Sequence, residues 1–238
     1  MPLRIIPSFF LLAVVLLSAF RPALPGLTGT WRRVDPAGAT VVLTVVDTYL
    51  MQTTYEANRF LSSRGGSWQQ QADRLTVTVE FDTQDSSRVG QAETYGLTLR
   101  NGKLTLTGRG EPQSFTRVDE PAVQTALVGL WRITGRTNDA GQLMTMPRGA
   151  RKTIKLMTGS RFQWAAINPE TKQFFGTGGG TYTLADGNYT ETIDFFSRDN
   201  SRVGRSLRFN ADVSQNSWHH TGQSSTGGKV DEVWSREK

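Results

Sequence analysis

Two titratable side chains stand where an apolar core is expected, and the chain supplies its own control for seeing them. Leu75, Val77, Val79 and Phe81 alternate with Thr76, Thr78 and Glu80, the period-two pattern of a strand with one buried face. At a constant offset of 114 residues the pattern returns as Tyr189, Glu191, Ile193 and Phe195. Glu191 therefore takes the inward place of Val77. The same offset turns Leu104, Leu106 and Gly108 into Trp218, His220 and Gly222, so His220 replaces an inward leucine while its neighbour His219 faces solvent. Glu232 shares a strand face with Trp234. Buried groups of this kind need partners, water or a ligand. Two readings follow. Glu191 is hydrogen-bonded to His220 or to a tyrosine hydroxyl and fixes strand register, or the pair belongs to the wall of a polar-lined ligand cavity. On the second reading the wall comprises Phe162, Trp164, Tyr182, Glu191, Trp218 and His220, with Met144 and Met146 at the mouth. The first-repeat residues, Val at 191 and Leu at 220, are then expected to fold as well as the native pair. A third reading is an enzyme using Glu191 and His220 as acid and base.

Other chemistries find little support. Adjacent histidines on a strand point to opposite faces and cannot form a multi-histidine metal site. There is no cysteine, so neither disulfide nor thiolate chemistry is available. The first repeat has no histidine, so a Ser-His-Asp arrangement shared by both copies is absent. Gly178-Gly179-Gly180 lacks the following helix and Lys-Ser/Thr of a phosphate loop and reads as a strand bulge. The expectation is a binding protein rather than an enzyme, without cofactor or metal; the alternative is an envelope structural or interaction protein with filled barrels. The formal net charge is +6, of which residues 127–238 carry +5 while 27–119 are balanced; the basic residues are scattered, without the aromatic interleaving of nucleic-acid binders.

The elements that must position these residues come as a repeat. Leu27-Thr28-Gly29-Thr30-Trp31-Arg32 is echoed by Leu127-Val128-Gly129-Leu130-Trp131-Arg132, and Asp85-Ser86-Ser87-Arg88-Val89-Gly90 by Asp199-Asn200-Ser201-Arg202-Val203-Gly204. The copies close on Phe115-Thr116-Arg117 and Trp234-Ser235-Arg236. Short alternating runs and turn signals every eight to twelve residues argue an all-β chain. In the second copy strands are predicted near 129–136, 151–158, 161–168, 173–184, 188–197, 204–213, 216–222 and 229–236. The tight turns between them impose up-and-down order. The domains are 27–119 and 127–238, joined by a linker over 120–126. The offset moves from 100 at Trp131 to 111 at Ile154, so the second copy holds extra residues in 137–150, a candidate lid bearing Leu143, Met144 and Met146. Residues 1–23 have a basic Arg4, a short apolar run and small residues after it, the form of a signal peptide. A periplasmic or secreted protein is expected, with no membrane span after cleavage.

The Gly-x-Trp opening each copy and the arginine near each end resemble the lipocalin and related calycin barrels. The second copy is similar to a bacterial lipocalin-like domain family of unknown function through Phe162-Gln163-Trp164, Gly179-Gly180-Thr181-Tyr182-Thr183-Leu184, Tyr189-Thr190-Glu191, Trp218-His219-His220-Thr221-Gly222 and Asp231-Glu232-Val233-Trp234-Ser235-Arg236. The resemblance implies two tandem lipocalin-like antiparallel up-and-down β-barrels of about eight strands each. It also implies that an arginine covers each indole, Arg117 over Trp31 and Arg236 over Trp131. A small hydrophobic or amphipathic partner is the expectation; the family brings no accepted active site.

Overall fold

The structure is a computed structural model that describes residues 26–108, 110–121, 124–138 and 140–237. The segment read as a signal peptide lies outside them. The first repeat forms β1 (Gly29–Val34), β2 (Thr40–Val46), β3 (Tyr49–Glu56), β4 (Arg59–Gln71), β5 (Arg74–Asp82), β6 (Ala92–Arg100), β7 (Lys103–Thr107) and β8 (Gln113–Arg117). Each strand pairs antiparallel with the next, and β8 returns to β1 to close a barrel. The second repeat forms β9 (Gly129–Thr137), β10 (Leu143–Thr145), β11 (Lys152–Met157), β12 (Arg161–Asn168), β13 (Gln173–Ala185), β14 (Asn188–Phe196), β15 (Ser206–Val213), β16 (Ser217–Gln223) and β17 (Lys229–Arg236). It closes through β17 on β9. The chain is thus two eight-stranded, antiparallel, up-and-down barrels in tandem. The extra strand β10 was not visible in the sequence pattern. It pairs with the far end of β9 and extends the barrel wall, so part of the insertion is wall rather than free loop.

One device plugs the base of each barrel. Trp31 and Trp131 are fully buried, and their indole N–H groups donate to the carbonyls of Leu27 at 2.8 Å and Leu127 at 2.6 Å. Arg117 lies 4.9 Å from the Trp31 ring centre and Arg236 4.2 Å from that of Trp131. Each guanidinium also holds the chain entering its barrel: Arg117 donates to Gly26 and Thr28 carbonyls, Arg236 to those of Ala126 and Val128. Gly29 and Gly129 both sit at φ +132°, and a Cβ at either would collide with that guanidinium. Close approach of the arginine thus explains the glycine two residues before each tryptophan. The duplicated Asp-x-Ser-Arg turn is structural too, with Asp85 and Asp199 accepting from the Ser87 and Ser201 backbone N–H at the start of a single helical turn.

Strand register corrects one alignment. Trp31 lies opposite Leu43, whereas Trp131 lies opposite Lys155. The offset on this strand is therefore 112, and Lys155, not Ile154, occupies the inward place of Leu43. A one-residue slip exchanges the two faces of a strand. The apolar alternation of Ile154 and Leu156 had a different cause: both are buried on the outside of the barrel, with Leu130, Ala165 and Ile167, against Val46, Tyr49, Met51 and Phe81 of the first barrel.

That shared cluster joins the barrels about a pseudo-two-fold axis. β2 packs on β11, its own counterpart, while β4 on β14 and β5 on β13 are exchanged by the same rotation. The arrangement is that of an isologous dimer written into one chain. Buried polar contacts also cross the interface. Thr30 and Thr158 hydroxyls meet at 2.9 Å and both bond Glu120 of the linker, and Gln163 donates to Thr53 at 2.7 Å and Ser63 at 3.2 Å. The linker is thereby fastened to the interface.

Candidate functional site

The interiors of the two barrels differ sharply in volume. The first holds a void of about 30 Å³, whereas the second encloses a cavity of about 990 Å³ open at the end opposite Trp131. Its floor is built on Lys155 from β11. The ammonium lies 2.6 Å from Glu191 Oε1, which also accepts the Tyr189 hydroxyl at 2.6 Å. Four rings surround the same cation: Trp218 at 5.0 Å, Trp234 at 5.2 Å, and Phe162 and Tyr189 each at 5.4 Å. A buried charge tolerates this setting because an opposite charge and four π faces replace its water.

Beside it lies a second pair. His220 Nε2 is 3.3 Å from Glu232 Oε2, and Arg136 donates to the other oxygen of Glu232. Burial lowers the His220 pKa from its ordinary value, outweighing the bond to Glu232. The imidazole is therefore neutral, with its proton on Nε2, and Nδ1 is an acceptor. Burial alone would raise the Glu232 carboxyl, but the bonds from His220 and Arg136 hold it at about 2. Tyr189 is pushed well above its usual value by burial and then by Glu191. Each ion pair cancels, so the floor is polar without net charge. Among the described residues, His220 Nδ1 and the indole N–H groups of Trp218 and Trp234 meet no hydrogen-bond partner.

Of the residues picked from the sequence, Phe162, Trp164, Glu191, His220 and Met146 line the cavity. Tyr182, Trp218 and Met144 are not among its lining residues. Tyr182 is buried near the base, where its hydroxyl donates to the Thr158 carbonyl and meets the Thr125 hydroxyl, and burial pushes its pKa up to about 12. Trp218 is packed beneath the floor, edge-on to Trp131 and Tyr189. Met144 is exposed on β10. The supposed pairing of Glu191 with His220 is corrected: the neutral His220 bonds Glu232 instead, and it is a tyrosine hydroxyl, with Lys155, that meets Glu191. Lys155, Arg136 and the upper wall of Phe175, Phe196, Leu207 and Phe209 are additions made by the structure. Correct register for β11 would have exposed Lys155, because it alone sets a charge opposite Trp131. The described residues contain no group of three side chains able to hold a metal ion, and no helix among them is long and apolar enough to cross a membrane.

No protein-family model matches the chain, and no curated protein matches it. Among solved structures it is similar to a lipocalin-like protein from Bacteroides uniformis, at 13% identity and a TM-score of 0.34, over 48% of this chain and the whole of that one.

Proposed function

We propose that this is an exported, non-enzymatic binding protein whose second barrel holds a small, largely apolar molecule, while the first barrel is a filled partner that braces it. The observation that carries this reading is the contrast between cavities of about 990 Å³ and 30 Å³ in two copies of one fold. The larger value lies at the upper end of the range typical of small-molecule sites. Six aromatic side chains, Phe162, Trp164, Phe175, Phe196, Phe209 and Trp234, contribute to the wall, with polar groups at the floor and again at the mouth, an arrangement suited to burying a hydrocarbon body and orienting a polar end.

Native mass spectrometry of protein purified from its own host tests this directly. A ligand-sized mass that survives desalting and disappears on unfolding is the expected result. Quenching or a shift of Trp164 fluorescence by apolar compounds gives the complementary readout, because Trp164 lines the cavity. If no mass is retained and no compound from a broad apolar and amphipathic panel moves Trp164, the second barrel does not bind, and a structural role in the cell envelope takes its place.

A further inference from the structure

The mouth of the second barrel carries two cations that no carboxylate among the described residues neutralises. Four basic residues ring it. Arg136 is paired with Glu232, and Lys152 reaches Glu80 of the first barrel at 2.7 Å. Arg151 and Arg198 have no carboxylate partner among the described residues; each instead lies on an aromatic ring of the cavity wall. The Arg151 guanidinium is 4.6 Å from the Phe175 ring centre, and that of Arg198 is 5.8 Å from the Trp164 ring centre while its Nε donates to the Phe175 carbonyl at 2.8 Å. Both guanidiniums are thus held beside Phe175, at the rim.

The seat of Arg198 is built into the backbone. Gly176, at φ +154°, follows a bulge between β12 and β13, and a Cβ there would stand 2.5 Å from Arg198 Nε. The first barrel has the same bulge but none of the parts: its register puts Ala39, Gln52, Leu61, Ser62 and Gln84 at the places of Arg151, Trp164, Phe175, Gly176 and Arg198. The clasp occurs only in the barrel with the cavity. A guanidinium stacked by one face keeps its N–H edge free for a planar or tetrahedral anion. The floor, by contrast, has no charge to offer, since Lys155 is balanced by Glu191, and Glu232 by Arg136 reaching down from the rim.

We propose that Arg151 and Arg198 form an anion clasp at the mouth, and that the ligand is a single-chain amphiphile bound tail first, its anionic head between the two arginines and its uncharged tail on the aromatic wall. This rests on the binding role proposed above. Titration calorimetry of the intact protein at low salt, with decanoate, decanol and decyltrimethylammonium, tests it against an Arg151→Gln/Arg198→Gln variant whose thermal melt matches wild type. Two charge-assisted contacts at an exposed rim are expected to favour decanoate over decanol by about five- to tenfold. The variant should lose that preference and bind decanol as before. Equal affinity for decanoate and decanol in wild type, or a preference that survives in the variant, overturns the clasp and leaves the binding role standing. Inorganic phosphate binding as tightly as decanoate overturns the amphiphile assignment. If none of the three chains binds, the binding role fails and the clasp with it.

Discussion

The two barrels solve the same folding problem with opposite distributions of charge. The first is hydrocarbon inside and ionic at the mouth. Leu43, Val77 and Leu106 fill its interior, and Arg64, Asp82, Arg88, Glu93 and Tyr95 form one network across its opening, with Arg88 3.1 Å from Asp82 and 2.6 Å from Glu93. In the second barrel the buried charges lie inside, and among the described residues no such network crosses the mouth. Lys155, Glu191 and His220 stand at the places of Leu43, Val77 and Leu106, and Gly178, Phe196, Leu207 and Phe209 at those of Arg64, Asp82, Glu93 and Tyr95. Removing the ionic plug opens the mouth, and the buried pairs below give the cavity a polar floor. The lesson is that a strand framework of fixed register accepts either arrangement, because closure depends on the backbone ladder and the base plug, which the copies share.

The comparison predicts its largest effect at the interface. Because the barrels bury a common cluster, cleavage at a protease site placed within 120–126 should leave the halves associated and melting together. Gel filtration of the nicked protein checks this; separate, folded halves would mean that the shared cluster contributes little.

Exchanging interiors comes next. Glu191→Val with His220→Leu copies the first barrel, yet it leaves the Lys155 ammonium buried without its carboxylate. Loss of one partner of such a pair costs about 3–5 kcal/mol, so the double variant should be strongly destabilised in urea. This reverses the sequence-based expectation that the double variant folds as well as the native protein, because Lys155 also faces inward. Adding Lys155→Leu should recover most of the loss; a double variant as stable as wild type would show that the ion pair is not a structural unit.

The base plugs should behave alike. Arg236→Ala and Arg117→Ala are each expected to cost about 1–2 kcal/mol through lost stacking and packing. Costs that differ by more than twofold would show that the shared geometry conceals unequal roles.

The smallest effect is in pH. The first barrel has no histidine. In the second, His220 is held neutral, its folded pKa below the unfolded value of 6.5. As pH falls through 6.5 the unfolded chain takes up a proton that the folded one refuses, so stability is complete above that value and declines below it. Glu232 and Glu93, both depressed to about 2, contribute above about 4.5 and lose their contribution as pH falls toward 2. Melting temperatures between pH 7.5 and 5.0 should therefore fall in wild type and fall less in His220→Leu. Parallel profiles would place the histidine's proton elsewhere.

Much of this molecule was determined by local pattern. Period-two alternation fixed the strands, Asp and Gly fixed the turns between them, and Gly-x-Trp with its distant arginine fixed the base of each barrel, since each depends on residues close in sequence or on a plug both copies repeat. The inward placement of Glu191 and His220 was legible for the same reason: β14 and β16 keep a constant offset from their counterparts. What the tertiary structure alone decided lies on surfaces that face something distant. Ile154 and Leu156 are apolar because a second barrel covers them, and that outside burial disguised Lys155 as a surface residue. The partners of Glu191 and His220, 36 and 12 residues away, follow from which strands the closed sheet brings together. The cavity follows from side-chain volumes summed around a whole barrel, a quantity no single strand contains.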